Sequence, residues 1–162
     1  MTQLLGDSPA LVLDEIDRRI LNTLQADASL NNNVLAARVH VSPPTCLRRV
    51  KRLVDAGVIE RQVAIVAPQM VGATLMAIVE ITLDQQASEK MVAFEQMVAH
   101  EAAVLQCYRV SPGPDFILMM QVADMPAYHA LAHRLFATQA NVRNVRTFFS
   151  IHRSKFETRI AV

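Results

Sequence analysis

The chain of 162 residues contains no tryptophan, and aromatic residues make up only 5% of it. Proteins that bind RNA or single-stranded DNA commonly stack bases on aromatic side chains, so this composition argues against such a platform. Cysteine is also scarce: Cys46 and Cys107 lack the CxxC spacing of redox and zinc motifs. A reduced protein of the cytoplasm is therefore expected.

Long hydrophobic runs are missing as well. Apolar stretches such as LMAIV (residues 75–79) and FILMM (residues 116–120) are far shorter than the ~18 residues that a membrane-spanning helix needs. The first residues have no positively charged segment of the kind that opens a signal peptide. With 52% hydrophobic residues, however, the chain can bury real cores in one domain or two small ones.

The first sixty residues have helical periodicity. Leu13, Ile16, Ile20 and Leu24 share one face of a first helix, whose opening turn is acidic. A polar cluster at residues 31–33 caps a short second helix. After a tight link, Ser42-Pro43 begins a third helix, and Gly57 ends it.

From Val58 the period changes to that of strands. The alternation in VIERQVAIV (residues 58–66) predicts a strand or small hairpin. Further strands are predicted at residues 74–83, 103–111, 116–122 and 145–152, with helices between the first and second and between the third and fourth of these four. The order β-α-β-β-α-β is that of the ferredoxin-like split βαβ arrangement, so the fold class is α+β.

Four of the five residues from Arg48 to Arg52 are cationic, although the net charge of the chain is only +1. At ~100° per residue, a helix here gathers its apolar residues on one side and its cations opposite them. The apolar side comprises Cys46, Leu47, Val50, Leu53 and Val54. The cationic ridge comprises Thr45, Arg48, Arg49 and Arg52, with Lys51 at its edge.

Most charge runs are simply solvated helix faces. This ridge differs because arginine forks onto guanine and phosphate, and because no glutamate is interleaved to neutralise it. It also lies on the third helix after a tight turn, where a helix-turn-helix places the element that enters the major groove. The pattern predicts double-stranded DNA as the partner, with phosphate contacts supplying most of the affinity.

The stretch VSPPTCLRRVKRLVDAGVI (residues 41–59) is similar to LSPTPCLRRVKRLE..GVI, the hallmark of the Lrp/AsnC, or feast/famine, transcriptional regulators. The second half of the chain resembles their RAM domain, a ligand-sensing and oligomerising module. The resemblance covers roughly residues 13–155. It implies a DNA-binding regulator of amino-acid-related metabolism, in the cytoplasm and associated with the nucleoid.

The resemblance sets the expected domains and DNA contacts. A winged helix-turn-helix domain is expected at residues 1–64, including an N-terminal arm at 1–12. A linker at 65–73 would join it to a RAM domain at 74–162. The DNA contacts are expected from Ser42, Pro44, Thr45, Arg48, Arg49, Lys51 and Arg52.

In the family, a turn of the form V-[ST]-G-x-[YF]-D-[YF] helps to hold an amino-acid effector between dimers. Here the turn is VSPGPDF (residues 110–116), in which Pro112 replaces the usual glycine. The effector residues expected are Ser111 and Gly113 for its carboxylate, Asp115 for its ammonium group, and Tyr108 and Thr147 as walls. Since Pro112 and Pro114 lack N–H groups, weak or unusual amino-acid binding is expected.

Two other departures and two alternatives bear on function. His40 stands in the turn where many members have glycine, and Asn141 replaces a glycine near the end. A protein that bends DNA without any effector is an alternative that the altered turn favours. A second alternative, an enzyme resembling the sirohaem decarboxylases, would use His100, His152, Arg109 and Arg146.

Self-association is predicted from the apolar character of both sheet faces. A ferredoxin-like sheet covers one face with its own helices and leaves the other bare. Met76, Ile78, Ile117 and Met119 fall on the bare face, so a second subunit is expected to bury them in a dimer or in an octamer built from such dimers. His129 and His133 are expected to be exposed, both cysteines to be small buried hydrophobes, and no cofactor or metal is expected.

Overall fold

The structure is a computed structural model that describes residues 11–162. The chain divides into two compact units: the first comprises the described residues up to Ala64 together with Lys155–Val162, and the second is Ile65–Ser154. No helix among residues 11–162 is long and apolar enough to cross a bilayer. The N-terminal arm predicted at residues 1–12 lies almost wholly outside the described residues.

The first unit contains three helices: α1 (Glu15–Ala26), α2 (Asn32–Arg38) and α3 (Pro43–Asp55). Asp14 caps α1 because its Oδ1 accepts from the Asp17 N–H at 2.9 Å. Asn31 caps α2 in the same way, accepting from the Val34 N–H at 3.0 Å. The core of this unit consists of Ile20, Leu21, Leu35, Ala36, Val39, Cys46 and Leu53.

Helices α2 and α3 end in the same hydrogen-bonded motif. After α2, the Val41 N–H donates to the Ala36 carbonyl and the His40 N–H to the Ala37 carbonyl, which is a Schellman motif. Its left-handed residue is His40, with φ +58°. The turn is thus kept with histidine in place of glycine. After α3, Gly57 takes this position with φ +70°, as the sequence predicts.

One sequence-based expectation fails at the edge of this unit. Residues 58–66 form no strand, although they alternate, because no other described segment pairs with their backbone; Val63 and Ile65 are exposed. The last eight residues pack on the helices of this unit. The Ile160 N–H donates to Gln25 Oε1 at 2.8 Å, and Val162 touches the helical core.

The second unit is a four-stranded antiparallel sheet with helices in the order β-α-β-β-α-β. Its strands are β1 (Leu75–Leu83), β2 (Val104–Arg109), β3 (Phe116–Val122) and β4 (Val142–Phe149), arranged β2-β3-β1-β4. Helix α4 (Ser88–Ala99) follows β1, and α5 (Met125–Ala132) continues into a π-helical turn at His133–Ala137 before β4. The predicted ferredoxin-like order is confirmed, and β4 begins three residues earlier than expected.

The sheet buries one face against its helices. Alternate β1 residues from Ala77 to Leu83 and alternate β3 residues from Phe116 to Val122 are buried there. Phe94 of α4 stacks on Phe116 with ring centroids 4.7 Å apart. The intervening residues of β1 and β3 lie on the other face of the sheet, where they are only partly buried.

Candidate nucleic-acid interface and effector site

Helix α3 is amphipathic, but its buried side is rotated from the expected one. Cys46 and Leu53 are fully buried, whereas Leu47 is 60% exposed and Val54 49% exposed. The buried arc therefore extends away from Leu47 and towards Arg49. The positions of the apolar residues alone predict the wrong buried side of α3, because a paired arginine occupies part of the interface with α1.

Arg49 is held by two carboxylates of α1. Its Nη1 donates to Asp14 Oδ2 at 2.7 Å and to Asp17 Oδ1 at 2.8 Å. The Arg49 side chain is 19% exposed, and that of Asp17 has no exposed surface. Arg52 donates through Nη2 to the second oxygen of Asp17. One buried carboxylate thus receives hydrogen bonds from two arginines of α3.

The charges in this cluster reinforce one another. Hydrogen bonds from the Asp17 backbone N–H and the Arg49 guanidinium lower the pKa of Asp14 to about 2. The two carboxylates raise the pKa of Arg49 above its already high usual value. Asp14 and Arg49 are therefore both ionised at neutral pH, and their ion pair ties α3 to the start of α1.

The outward face of α3 carries the remaining cations. Arg48 and Lys51 are exposed, and neither forms an ion pair within residues 11–162. They lie opposite Cys46 and Leu53, so they point away from the helical core. Arg52, although paired with Asp17, keeps 45% of its side chain exposed.

The first turn of α3 is also accessible. Ser42 and Pro44 are exposed, and Thr45 is half-buried. The Ser42 hydroxyl donates to Thr45 Oγ1 at 2.9 Å rather than capping a backbone N–H. The structure therefore presents six of the seven predicted DNA contacts on or beside one exposed face of α3, and it commits the seventh, Arg49, to α1.

The predicted effector turn is built around Asp115, which is buried. Its Oδ2 accepts from the Leu83 N–H at 2.7 Å, and its own N–H donates to the Ile81 carbonyl at 2.8 Å. The carboxylate expected to bind an ammonium group thus ties the turn to the end of β1. Ser111 and Gly113 are exposed in the same turn, and Gly113 has φ +123°.

Tyr108 and Thr147 do not lie together as walls of one site in a protomer. They occupy β2 and β4, the two edge strands, which are separated by three strand spacings or ~14 Å. Tyr108 pairs with Ile117 on the open face, whereas Thr147 pairs with Val79 and hydrogen-bonds Tyr128 on the helix-covered face. Within one chain, Tyr108 and Thr147 therefore do not border the same pocket.

The open face of the sheet is apolar at its centre. Met76, Ile78, Ile117 and Met119 lie there on adjacent strands. Those four side chains are partly buried, whereas Phe148, which sequence reasoning missed, pairs with Ile78 and is 41% exposed. Residues two apart in a strand share a face, so the position of Phe148 two residues after Arg146 could have placed it on the open face. At the margin, Arg146 approaches Glu80 at 3.6 Å and lies over the Phe148 ring.

The remaining candidates are dispersed. His129 and His133 are exposed, as predicted. No group of three or more possible metal ligands occurs in the described part of the chain. Burial raises the pKa of both thiols, that of Cys107 to about 11, so neither is primed as a thiolate.

The residues considered for a decarboxylase are not gathered into one site. Arg109 lies on edge strand β2, where it pairs with Glu95 at 2.9 Å. Arg146 lies on the opposite edge strand, and His100 contacts the carbonyl of Gln96.

Comparisons with known proteins agree with this architecture. Residues 13–60 match the family model of winged helix-turn-helix DNA-binding domains, and residues 76–160 match that of the Lrp/AsnC ligand binding domain. The chain is 37% identical over 148 residues to an uncharacterized HTH-type transcriptional regulator of Haemophilus influenzae, covering 91% of this chain and 88% of that protein. It is 35% identical over 154 residues to the leucine-responsive regulatory protein of Escherichia coli K12, covering 95% and 94%.

Solved structures show the same fold over nearly the whole chain. A transcriptional regulator from Neisseria meningitidis in complex with L-Met superposes with a TM-score of 0.86 at 29% identity, covering 92% of this chain and 96% of that one. An AsnC family transcriptional regulator from Agrobacterium tumefaciens gives 0.86 at 32% identity, covering 91% and 96%. The helix-turn-helix, the βαββαβ unit and these likenesses together show that the chain belongs to the Lrp/AsnC family of DNA-binding transcriptional regulators.

Proposed function

We propose that this regulator reads DNA with the outward face of α3, and that Arg48 and Lys51 are its principal cationic contacts. The observation that carries the proposal is that both are exposed and have no ion-pair partner within residues 11–162. A helix of this width fits the major groove. Ser42, Pro44 and Thr45 lie at the amino-terminal end of that face and contact the DNA through their short side chains.

Arg49 and Arg52 have a different part in this proposal. The guanidinium of Arg49 is paired with Asp14 and Asp17, so Arg49 positions α3 and does not reach a base. Arg52 also pairs with Asp17, but about half of its side chain is exposed. Part of its guanidinium therefore remains available to bind a phosphate.

Single substitutions test this division. If Arg48 reads a base edge, Arg48→Ala costs ~1–3 kcal/mol of binding and relaxes the preference at one base step. If Lys51 contacts phosphate, Lys51→Ala weakens all sequences alike and lowers the salt slope by about one. Arg18→Ala removes an exposed arginine of α1 that forms no ion pair among the described residues, and it is the matched control. Unchanged DNA affinity in a folded Arg48→Ala, Lys51→Ala double variant would contradict the proposal.

The regulator is further proposed to act as a dimer formed through the open sheet face. Apolar side chains of β1, β3 and β4 line that face, and burying them needs a partner surface. Two-fold pairing also matches the symmetry of a palindromic operator. A tetramer of dimers would bring further copies of the 110–116 turn together.

An amino acid is the proposed effector, bound between dimers beside that turn. The N. meningitidis regulator with a bound L-Met supports the ligand class. Ser111 and Gly113 are exposed and available to a carboxylate, whereas Asp115 is already engaged with Leu83. Tyr108 and Thr147 belong to one site only if different protomers supply them.

A thermal-shift screen of the twenty amino acids tests the effector. A ligand present at 100 times its Kd raises stability by ~2.7 kcal/mol. If none of the twenty shifts the melting temperature while DNA binding and bending persist, the protein is an effector-independent DNA-bending regulator instead. Pro112 and Pro114, which cannot donate hydrogen bonds, favour that second function.

A further inference from the structure

A groove of about 560 Å³ lies between the end of helix α5 and the edge strand β4, and none of its described lining residues belongs to the 110–116 turn. Its volume is in the range of small-molecule sites. The apolar part of its lining comes from Ala132, Phe136, Val142 and Val145. Phe136 is nearly fully buried, so it forms a fixed wall.

The polar part of the groove consists only of nitrogen-rich side chains. His129, His133, Arg143 and Asn144 line it. The two histidines are one helical turn apart on the same face, opposite Arg143 at the start of β4. Arg143 is exposed and forms no ion pair in the part of the chain that the structure describes.

The backbone of the helical wall is unusual. His133–Ala137 is a π-helical turn, a conformation that is rare and frequently occurs at functional sites. Leu135 and Phe136 are consecutive and both buried. The chain thereby keeps Phe136 as a wall while His133 stays exposed at the rim.

The lining also contains no carboxylate: none of the described residues that border the groove is aspartate or glutamate. An amino acid would therefore leave its ammonium group beside histidines and an arginine without an anionic partner. A carboxylate with a short aliphatic chain and no amino group meets both halves of the groove, its anion at Arg143 and its chain at the apolar wall.

We propose that this groove is a second small-molecule site, selective for short aliphatic carboxylates that lack an ammonium group. The 2-oxo acids and short branched fatty acids share this chemistry. The site is separate from the amino-acid site proposed above and does not depend on it. A regulator with both sites would respond to an amino acid and to its deaminated form through different surfaces.

Calorimetry on the full-length protein without DNA tests the proposal. The probes are 4-methyl-2-oxopentanoate, 4-methylpentanoate and leucine. Both acids are expected to bind, the first more tightly if the keto oxygen accepts from Asn144 or a histidine. Arg143→Gln is expected to weaken both by about tenfold or more, since it removes a charge-assisted hydrogen bond. Lys90→Gln, which neutralises an exposed cation of α4 outside the groove, is the matched control.

A second variant tests the shape of the groove without changing its charge. Ala137 is an exposed lining residue, and Ala137→Phe fills the groove. It is expected to abolish acid binding while leaving the thermal shift by amino acids and the DNA affinity unchanged. The proposal is overturned if neither acid binds at millimolar concentration. It is also overturned if both variants bind the acids as tightly as the wild type does. Displacement of the acids by leucine with equal affinity would overturn it as well.

Discussion

Asp17 and Arg49 join helices α1 and α3 through a hydrogen-bonded ion pair of 2.8 Å between Oδ1 and Nη1. Asp17 is fully buried, and its other oxygen accepts from Arg52 and from the Asp14 N–H. The helix that faces DNA is therefore anchored by a buried anion as well as by apolar packing. Breaking such a pair is costly because a buried charge is left without its partner.

Replacing Asp17 tests this anchor. Asp17→Asn keeps the volume but removes the charge, and we expect it to lower the free energy of unfolding by ~2 kcal/mol. The estimate is below that for a fully buried pair because both arginines reach solvent. Urea denaturation measures the change. Asp55→Asn, on the exposed side of α3, is the control and is expected to stay within ~0.5 kcal/mol of wild type. Equal stability of the two variants would contradict an anchoring role.

Acid stability is expected to depend on Asp14. Its pKa falls from 3.8 to about 2 on folding, so the folded chain binds fewer protons than the unfolded chain between these values. This contribution to stability is present above pH ~4 and is lost as the pH falls towards 2. Asp14→Asn preserves the helix cap, because asparagine caps equally well, but removes the titration. The stability difference between wild type and variant should therefore shrink from pH 5 to pH 2; a constant difference would count against the assignment.

The carboxylate of Asp115 is expected to stabilise the fold rather than to bind a ligand. Asp115→Ala leaves the Leu83 N–H without its acceptor in a buried place, at a cost of ~1–3 kcal/mol. Thermal denaturation measures this loss, with Asp84→Ala, an exposed neighbour at the end of β1, as the control. If Asp115→Ala is as stable as wild type but loses amino-acid binding, the carboxylate serves the ligand instead.

The open sheet face is expected to control self-association. Ile78→Lys places an unpaired charge in the middle of the proposed interface, at a cost of several kcal/mol. Sedimentation should then show monomers where the wild type is a dimer at micromolar concentration. Val92→Lys adds the same charge to an exposed apolar position on α4 and should leave the dimer intact. A monomeric wild type would rule out this interface.

Local patterns in the sequence were enough to predict most of the architecture. The polar cap of α2, the Gly57 terminator and the two-residue alternation in 74–83 are local signals, and the structure confirms them. The order of elements then left the ferredoxin-like arrangement as the natural topology. The hallmark at residues 41–59 led to the family, which the comparisons confirm.

The partners of individual side chains depended on contacts between distant residues. Arg49 and Arg52 have the same local pattern as Arg48, and only the approach of α1 across 32 and 35 residues separates them into anchors and a free cation. The same holds for Asp115, which meets Leu83, and for Ile160, which meets Gln25. Residues 58–66 have the alternation of a strand, yet a strand also requires a neighbouring backbone, and none of the described residues provides it. The sequence by itself thus determined where the helices lie and which segments have the alternation of a strand, because these depend on near neighbours. Only the tertiary structure decided which charges are used internally and which remain available for a ligand.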